Sequence, residues 1–535
     1  MDDEAGHGPW AVHDPSAEGT AALADLEAAA EAGDWAAADA AVRSGWFELA
    51  TEHGERTRLL IERAPAGSLR AHPLLAMMLG LAYNTIGMHR VRALRYFVTA
   101  VRAARTQRAT ALDPVDRVLI RSTEAAAFRL LGRPGLSVGP AGAAVAALDR
   151  LTDEQRERVA QLPRIYAQLG ISLYYGGEIE KAMDTFAKGL ASTPATPPSS
   201  GFGNLAMLAG IHALRGDLPE ALAHIEYART GPWTVRQRSM YTGTFYRLAE
   251  TVIALERFDT EAAADHLAAM VHDRRTIEHW LAEAQVEAML RLVEGRPGDA
   301  LAGLEAYVSM RGAEGRSAAT RAALARIRSL IQLALGNPEA ALVIVERDVP
   351  QGPVRRIERA RVNLTLGRNG SALRELAAAA GQPLDARTTA EAAAVEAAVL
   401  LRLAPTARTR GAVHQLGALL ERTGLRLPLA FLPHDDFARV MNALAESGYG
   451  QRIADAPVRS LLPAAEPELR LTERERAVLA QLAETGSVAQ IASALVVSTN
   501  TVKTQLRGVY RKLGVNNRED AIALAVARHL LVERD

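Results

Sequence analysis

The sequence predicts an all-α protein in two parts, a long array of paired helices followed by a small four-helix domain. Three observations predict it. From about residue 19 to 445 the chain is rich in Ala, Leu, Arg and Glu at helical spacing, with no alternating pattern long enough to build a sheet. A glycine followed five residues later by an alanine returns repeatedly through that region. Residues 471–526 sort apolar and basic residues onto separate helix faces around a tight turn.

Composition bounds the function classes. A chain of 535 residues is long enough for several domains or one long repeat array. Lys plus Arg and Asp plus Glu both number 62, so the net charge is zero. The absence of cysteine excludes disulfides, zinc fingers and thiol catalysis. Lysine occurs only at Lys181, Lys188, Lys503 and Lys512, and no G-x-x-x-x-G-K-[ST] phosphate loop is present. The opening MDDEAGHGPW lacks the basic-then-apolar pattern of a signal peptide. No uncharged apolar run reaches the roughly 18 residues of a membrane span. These features predict a cytoplasmic protein with no membrane partner.

Taken in order, residues 1–18 are polar and turn-rich and predict a flexible arm. The array is expected over 19–445. Its fullest repeat is PRIYAQLGISLYYGGEIEKAMDTFAKGLASTP, residues 163–194. With Leu169, Gly170, Gly177, Ala182, Phe186 and Pro194 at their offsets, this stretch resembles the tetratricopeptide repeat. Gly216/Ala221, Gly295/Ala300, Gly336/Ala341 and Gly367/Ala372 repeat the turn. The gap between Gly216 and Gly295 leaves room for a degenerate copy near Glu256, and the segments 30–42 and 84–97 look like the same turn. Glycine reverses the chain, small alanines let helices approach, and stacked pairs bury a continuous core. The LPLAFLPHDDF stretch at 427–437 suggests a cap on the array. Residues 446–466, with Pro457 and Pro463, read as a semi-rigid linker.

The last domain is expected over 467–532. Thr472 and Glu475 have the spacing of a capping box before a first helix with Val478, Leu479 and Leu482 on one face. Gly486 ends that helix, a short second helix carries Ile491, Ala492 and Leu495, and Val496–Val497 form a turn. Ser498 can cap a third helix over Thr499–Leu513. There Val502, Leu506, Val509 and Leu513 share one face, while Lys503, Arg507 and Arg511 recur every four residues on another. Two short helices, a turn and a basic exposed face suit insertion of that third helix into the major groove of DNA. From residue 471 onward nine Lys or Arg stand against seven acids, an excess of only +2. The electrostatic footprint is therefore a helix face rather than a basic domain.

The runs LTERERAVL (471–479), IASAL (491–495), STNTVKTQL (498–506) and YRKLGV (510–515), with Arg518 and Ala521, resemble the LuxR-type helix-turn-helix domain of bacterial transcription regulators. The resemblance implies sequence-specific binding of double-stranded promoter DNA by a homodimer, with RNA polymerase as a further partner. It implies that Lys503, Thr504 and Arg507 read bases, and that Ser498, Thr499, Thr501 and Lys512 lie near phosphates. It gives the final helix, 519–530, a dimerisation role, with Ile522, Val526 and Leu530 as seam residues. Gln490 and Gln505 depart from the family's usual Glu and His, and Gly508 sits mid-helix. The layout also resembles the C-terminal half of large ATP-binding LuxR regulators, without their ATPase module.

Little else carries chemistry. His266 and His272, six apart, do not share a helical face and read as surface histidines. His434-Asp435-Asp436 reads as an ordinary turn. GFGNLA at 201–206 follows no strand and reads as part of the array. No catalytic constellation emerges, so no enzyme activity, cofactor or metal is expected. Most array aromatics read as core. The stretch holding Trp233, Arg236, Arg238, Tyr241 and Tyr246 is the candidate surface for a small-molecule or protein effector. The leading reading is a transcriptional regulator whose helical repeats receive a signal. The alternative is a tetratricopeptide-type interaction scaffold with secondary DNA binding.

Overall fold

The repeat unit of the computed structural model is a helix pair closed by one turn geometry. The structure describes residues 17–85, 90–105, 112–130, 132–159, 161–194, 201–270, 278–403, 406–450, 456–463, 471–484, 487–513, 515 and 517–527. Among these the fold is all-α, with one isolated bridge between Pro433 and Leu462 and no strand. The expected arm, save its last residues, lies outside the described residues.

Leu162–Tyr175 and Ile179–Ala191 form the fullest pair. Gly177 joins them with φ +88°, and Gly216, Gly295, Gly336 and Gly367 take φ between +71° and +87°. In each case the next residue's N–H bonds a carbonyl five residues back, as Glu178 does to Leu173 at 2.9 Å and Asn337 does to Gln332 at 2.9 Å. The alanine five residues after each glycine is at most 1% exposed: Ala182, Ala221, Ala300, Ala341 and Ala372. The turn and the buried contact thus come as one device. Gly170 serves closeness instead, since the Phe186 ring occupies the place of its missing Cβ.

Two further copies use other residues. The degenerate copy expected near Glu256 turns at Phe258, whose φ is +59°, and buries Ala263. A copy not apparent in the sequence turns at Gly132 and buries Ser137, whose hydroxyl donates to Ser172 O at 3.0 Å. Gly33 and buried Ala38 repeat the device near the start, whereas Gly87 lies outside the described residues. The array is a tetratricopeptide-like helical superhelix with one continuous apolar core.

Its curvature returns the later helices to the middle ones. Arg387 donates from Nε to Leu214 O at 2.9 Å and from Nη2 to Ala213 O at 3.0 Å. Glu256 accepts from Arg387 and from the Arg426 and Leu427 N–H groups at 2.6 and 2.8 Å. A buried ion network ties three helices farther along. Arg361 reaches Glu358 at 3.0 Å and Glu391 at 3.2 Å, and Arg326 reaches Glu358 at 3.0 Å.

The expected linker is in part structural. Residues 456–463 lie on the array: Leu461 N–H donates to Ala430 O at 2.8 Å, Arg459 to Val293 O at 2.5 Å, and Leu462 is buried. His434-Asp435-Asp436 is not an ordinary turn but the first turn of a helix, His434–Glu446. Asp436 there is fully buried and bridges Arg402 and Arg439, so its carboxylate is already matched by two guanidinium groups. GFGNLA opens the helix Phe202–Arg215, with Asn204 donating to Pro163 O at 2.8 Å.

Candidate nucleic-acid interface

The C-terminal domain has its own core, separate from that of the array. Its first helix is Glu473–Glu484. Thr472 N–H donates to Glu475 Oε2 at 2.8 Å and Glu475 N–H to Thr472 Oγ1 at 3.2 Å, the capping box expected from the sequence. The second helix, Val488–Ala494, is capped by Ser487, whose hydroxyl accepts from Gln490 N–H at 3.2 Å. The reversal after it places Val496 at φ +54° and almost fully in solvent.

The third helix, Thr499–Leu513, starts on Ser498, whose Oγ accepts from Thr501 N–H at 3.1 Å. Val502, Leu506, Val509 and Leu513 are all buried in the domain core. The opposite face carries Thr499, Thr501, Lys503, Thr504, Arg507 and Arg511, all exposed. Among the described residues no carboxylate pairs with Lys503, Arg507 or Arg511. Helix amphipathicity alone produces this sorting: one face must fill the core, which leaves the cations unneutralised on the other.

Lys512 differs from the other three cations. Its Nζ lies 2.5 Å from Glu475 Oε2, joining the third helix to the first. The Lys512 hydrogen bond, with the Thr472 N–H, holds the Glu475 carboxyl below its ordinary pKa. Glu475 also accounts for Gly508, because a Cβ there would stand 2.8 Å from Glu475 Oε1. Glu475 therefore closes a helix cap, grips Lys512 and requires a bare backbone opposite. The sequence showed only the cap, since the other two contacts join residues more than thirty positions apart. Arg518 likewise donates to Leu482 O at 2.8 Å, satisfying a carbonyl at the end of the first helix.

Residues 469–525 match a family model described as "GerE: Bacterial regulatory proteins, luxR family". The C-terminal domain belongs to the luxR family. Over 70 residues the chain is 46% identical to "Probable transcriptional regulatory protein SgaR" of Hyphomicrobium methylovorum, covering 13% of this chain and 31% of that protein. It is 44% identical over 61 residues to "Probable transcriptional regulatory protein NarL" of Mycobacterium tuberculosis, covering 11% of this chain and 28% of that one. It is 41% identical over 64 residues to "Transcriptional regulatory protein YdfI" of Bacillus subtilis, covering 12% and 30%. The chain spans less than a third of the length of each of these relatives.

In the LuxR domain the fourth helix is Arg518–Ala527, with Ala521 and Ala525 buried. Ile522 is half-buried against the domain's own core, Val526 is exposed, and Leu530 lies outside the described residues. Elsewhere, the five array residues singled out for an effector do not converge. Tyr246 is buried and donates to Glu250 at 2.8 Å, Tyr241 donates to Glu278, and Arg238 donates to Ala228 O at 3.0 Å. Arg236 is exposed, and Trp233 alone lines a groove. Most of the other array aromatics, including Tyr166, Phe245 and Trp280, are buried in the core. His266 is not simply a surface histidine: its Nδ1 lies 3.4 Å from buried Glu250, and His272 lies outside the described residues. Among the described residues no helix is long and apolar enough to cross a membrane.

Proposed function

We propose that the chain is a cytoplasmic, sequence-specific transcriptional regulator. Its third LuxR helix enters the major groove of promoter DNA, and its helical array receives the controlling effector. The observation that carries this reading is the exposed row of Lys503, Arg507 and Arg511, without carboxylate partners among the described residues, on a helix whose opposite face is core. Lys503, Thr504 and Arg507 are assigned to base edges, where Arg on guanine is the commonest specific contact. Ser498, Thr499, Thr501, Arg511 and Lys512 are assigned to the backbone, fixing register. Lys512 reaches phosphate only by sharing or leaving Glu475. Homodimer pairing is assigned to the fourth helix, with Val526 its exposed apolar residue and RNA polymerase a partner of the DNA-bound form.

Footprinting on selected promoter fragments tests the base assignment. Arg507→Ala is expected to cost ~1–3 kcal/mol and to relax preference at one base pair. An unchanged sequence preference would remove Arg507 from the reading set. A scaffold with secondary DNA binding would bind all fragments alike at physiological salt.

A further inference from the structure

We propose that a groove in the array, between the helices Ile179–Ala191, Phe202–Arg215 and Leu218–Thr230, binds a planar aromatic cation. The proposal rests on the reading of the array as the effector-receiving part, and it names the place and the ligand class. The groove measures about 840 Å³, within the roughly 300–1,000 Å³ of small-molecule sites.

The two long walls differ. The helix Ile179–Ala191 and the residues after it offer small or aliphatic groups, namely Ala187, Leu190, Ala191 and Pro194. The opposite side offers rings: His224, Tyr227 and Trp233. Tyr227 and Trp233 meet edge to face with centroids 5.3 Å apart, and the His212 and His224 rings lie 5.5 Å apart. Asp184 and Thr193 add polar groups to the first wall, and the rings on the other favour an aromatic guest. Tyr227 is half exposed although it is large and apolar.

Charge selects the sign of the guest. Among the described residues Asp184 is the only one of the lining with a fixed charge. Asp217 stands 3.7 Å from His212, and the charge of Glu220 reaches His224. Burial first, and His212 second, depress the His224 pKa, so that ring is neutral at pH 7. The Arg215 guanidinium touches Met183 Sδ at 3.6 Å but is already paired with Glu180 at 2.7 Å. Among the described residues no lysine or arginine lines the groove. An anion would meet the Asp184 carboxylate with no cation in the described lining to offset it. A cation gains Asp184 and the exposed part of the Tyr227 ring, with Trp233 packed behind it against Phe202.

The test uses proflavine, a planar tricyclic cation, titrated into the full-length protein without DNA and read by fluorescence anisotropy. Saturable binding at one dye per chain is expected. Ala187→Trp, which adds bulk from an exposed groove position, should weaken it at least tenfold, and Asp184→Asn should also weaken it severalfold. Thermal melting of both variants should match the parent. The anionic dye 8-anilinonaphthalene-1-sulfonate should not compete. No saturable proflavine binding, binding indifferent to Ala187→Trp or Asp184→Asn, or equal binding of the anionic dye would each overturn the proposal. Promoter selection by the same protein without dye is read separately, so failure of the groove and failure of the regulator reading are distinguishable.

Discussion

At the scale of single residues, the LuxR domain turns on Glu475. Alanine is ordinarily favoured over a mid-helix glycine by ~0.5–1 kcal/mol. At Gly508 that gain is expected to vanish, because the new Cβ displaces Glu475 from Lys512 and from the Thr472 N–H. In a Glu475→Ala background Gly508→Ala should recover the gain, as a double-mutant cycle on unfolding free energy would show. Additive effects would mean that Glu475 and Gly508 are not coupled. Lys512→Ala should weaken binding to all DNA sequences similarly and flatten the salt dependence, since a phosphate contact carries no base preference. It should also lower domain stability by no more than about 1 kcal/mol, because the pair is only partly shielded from water. A change in which sequences are preferred would move Lys512 to the base-reading set. The exposed basic face was legible because amphipathic spacing exposes it. The Lys512 pairing was not, because no local spacing links residues 475 and 512.

At the scale of elements, the array depends on its left-handed turns. Gly295 has φ +80° and open space around its missing Cβ. Gly295→Ala should therefore cost ~1–2 kcal/mol from backbone strain alone, seen as a lower thermal midpoint. An unchanged midpoint would mean that the turn relaxes freely. The turns were legible wherever glycine and alanine marked them. They were not where Phe258 supplied the left-handed residue, or where Ser137 replaced the buried alanine. The contacts of residues 459–462 with the array were not legible for a related reason: Pro457 and Pro463 announce extended backbone but not what it lies against. The first helices add a pH-dependent element. Burial, and then the Asp116 carboxylate, push the Asp39 pKa up to about 7 despite Arg43 beside it. The folded value lies above the unfolded one, so the stability tied to this proton is complete below the unfolded pKa and is lost as pH rises through about 7. Asp39→Asn should raise the melting midpoint at pH 8 more than at pH 5.5. An equal rise at both would show that Asp39 is ionised in the fold throughout.

At the scale of the whole molecule, the chain joins an array with internal return contacts to a DNA-binding domain with a separate core. The all-α class and the order of the parts were legible because both periodicities are local. The return of residues 387 and 426–427 onto Glu256 was not, since accumulated curvature brings together groups more than 130 positions apart. The groove proposed for an aromatic cation was hidden likewise, its lining running from Met183 to Trp233 across three helices. The most direct test of the central claim is selection of genomic DNA fragments by the purified full-length protein at physiological salt, beside Arg507→Ala. A regulator should enrich fragments that share an inverted repeat, which the variant loses or broadens. Enrichment of no common sequence, or the same sequence with the variant, would contradict the assignment of the third LuxR helix to base reading.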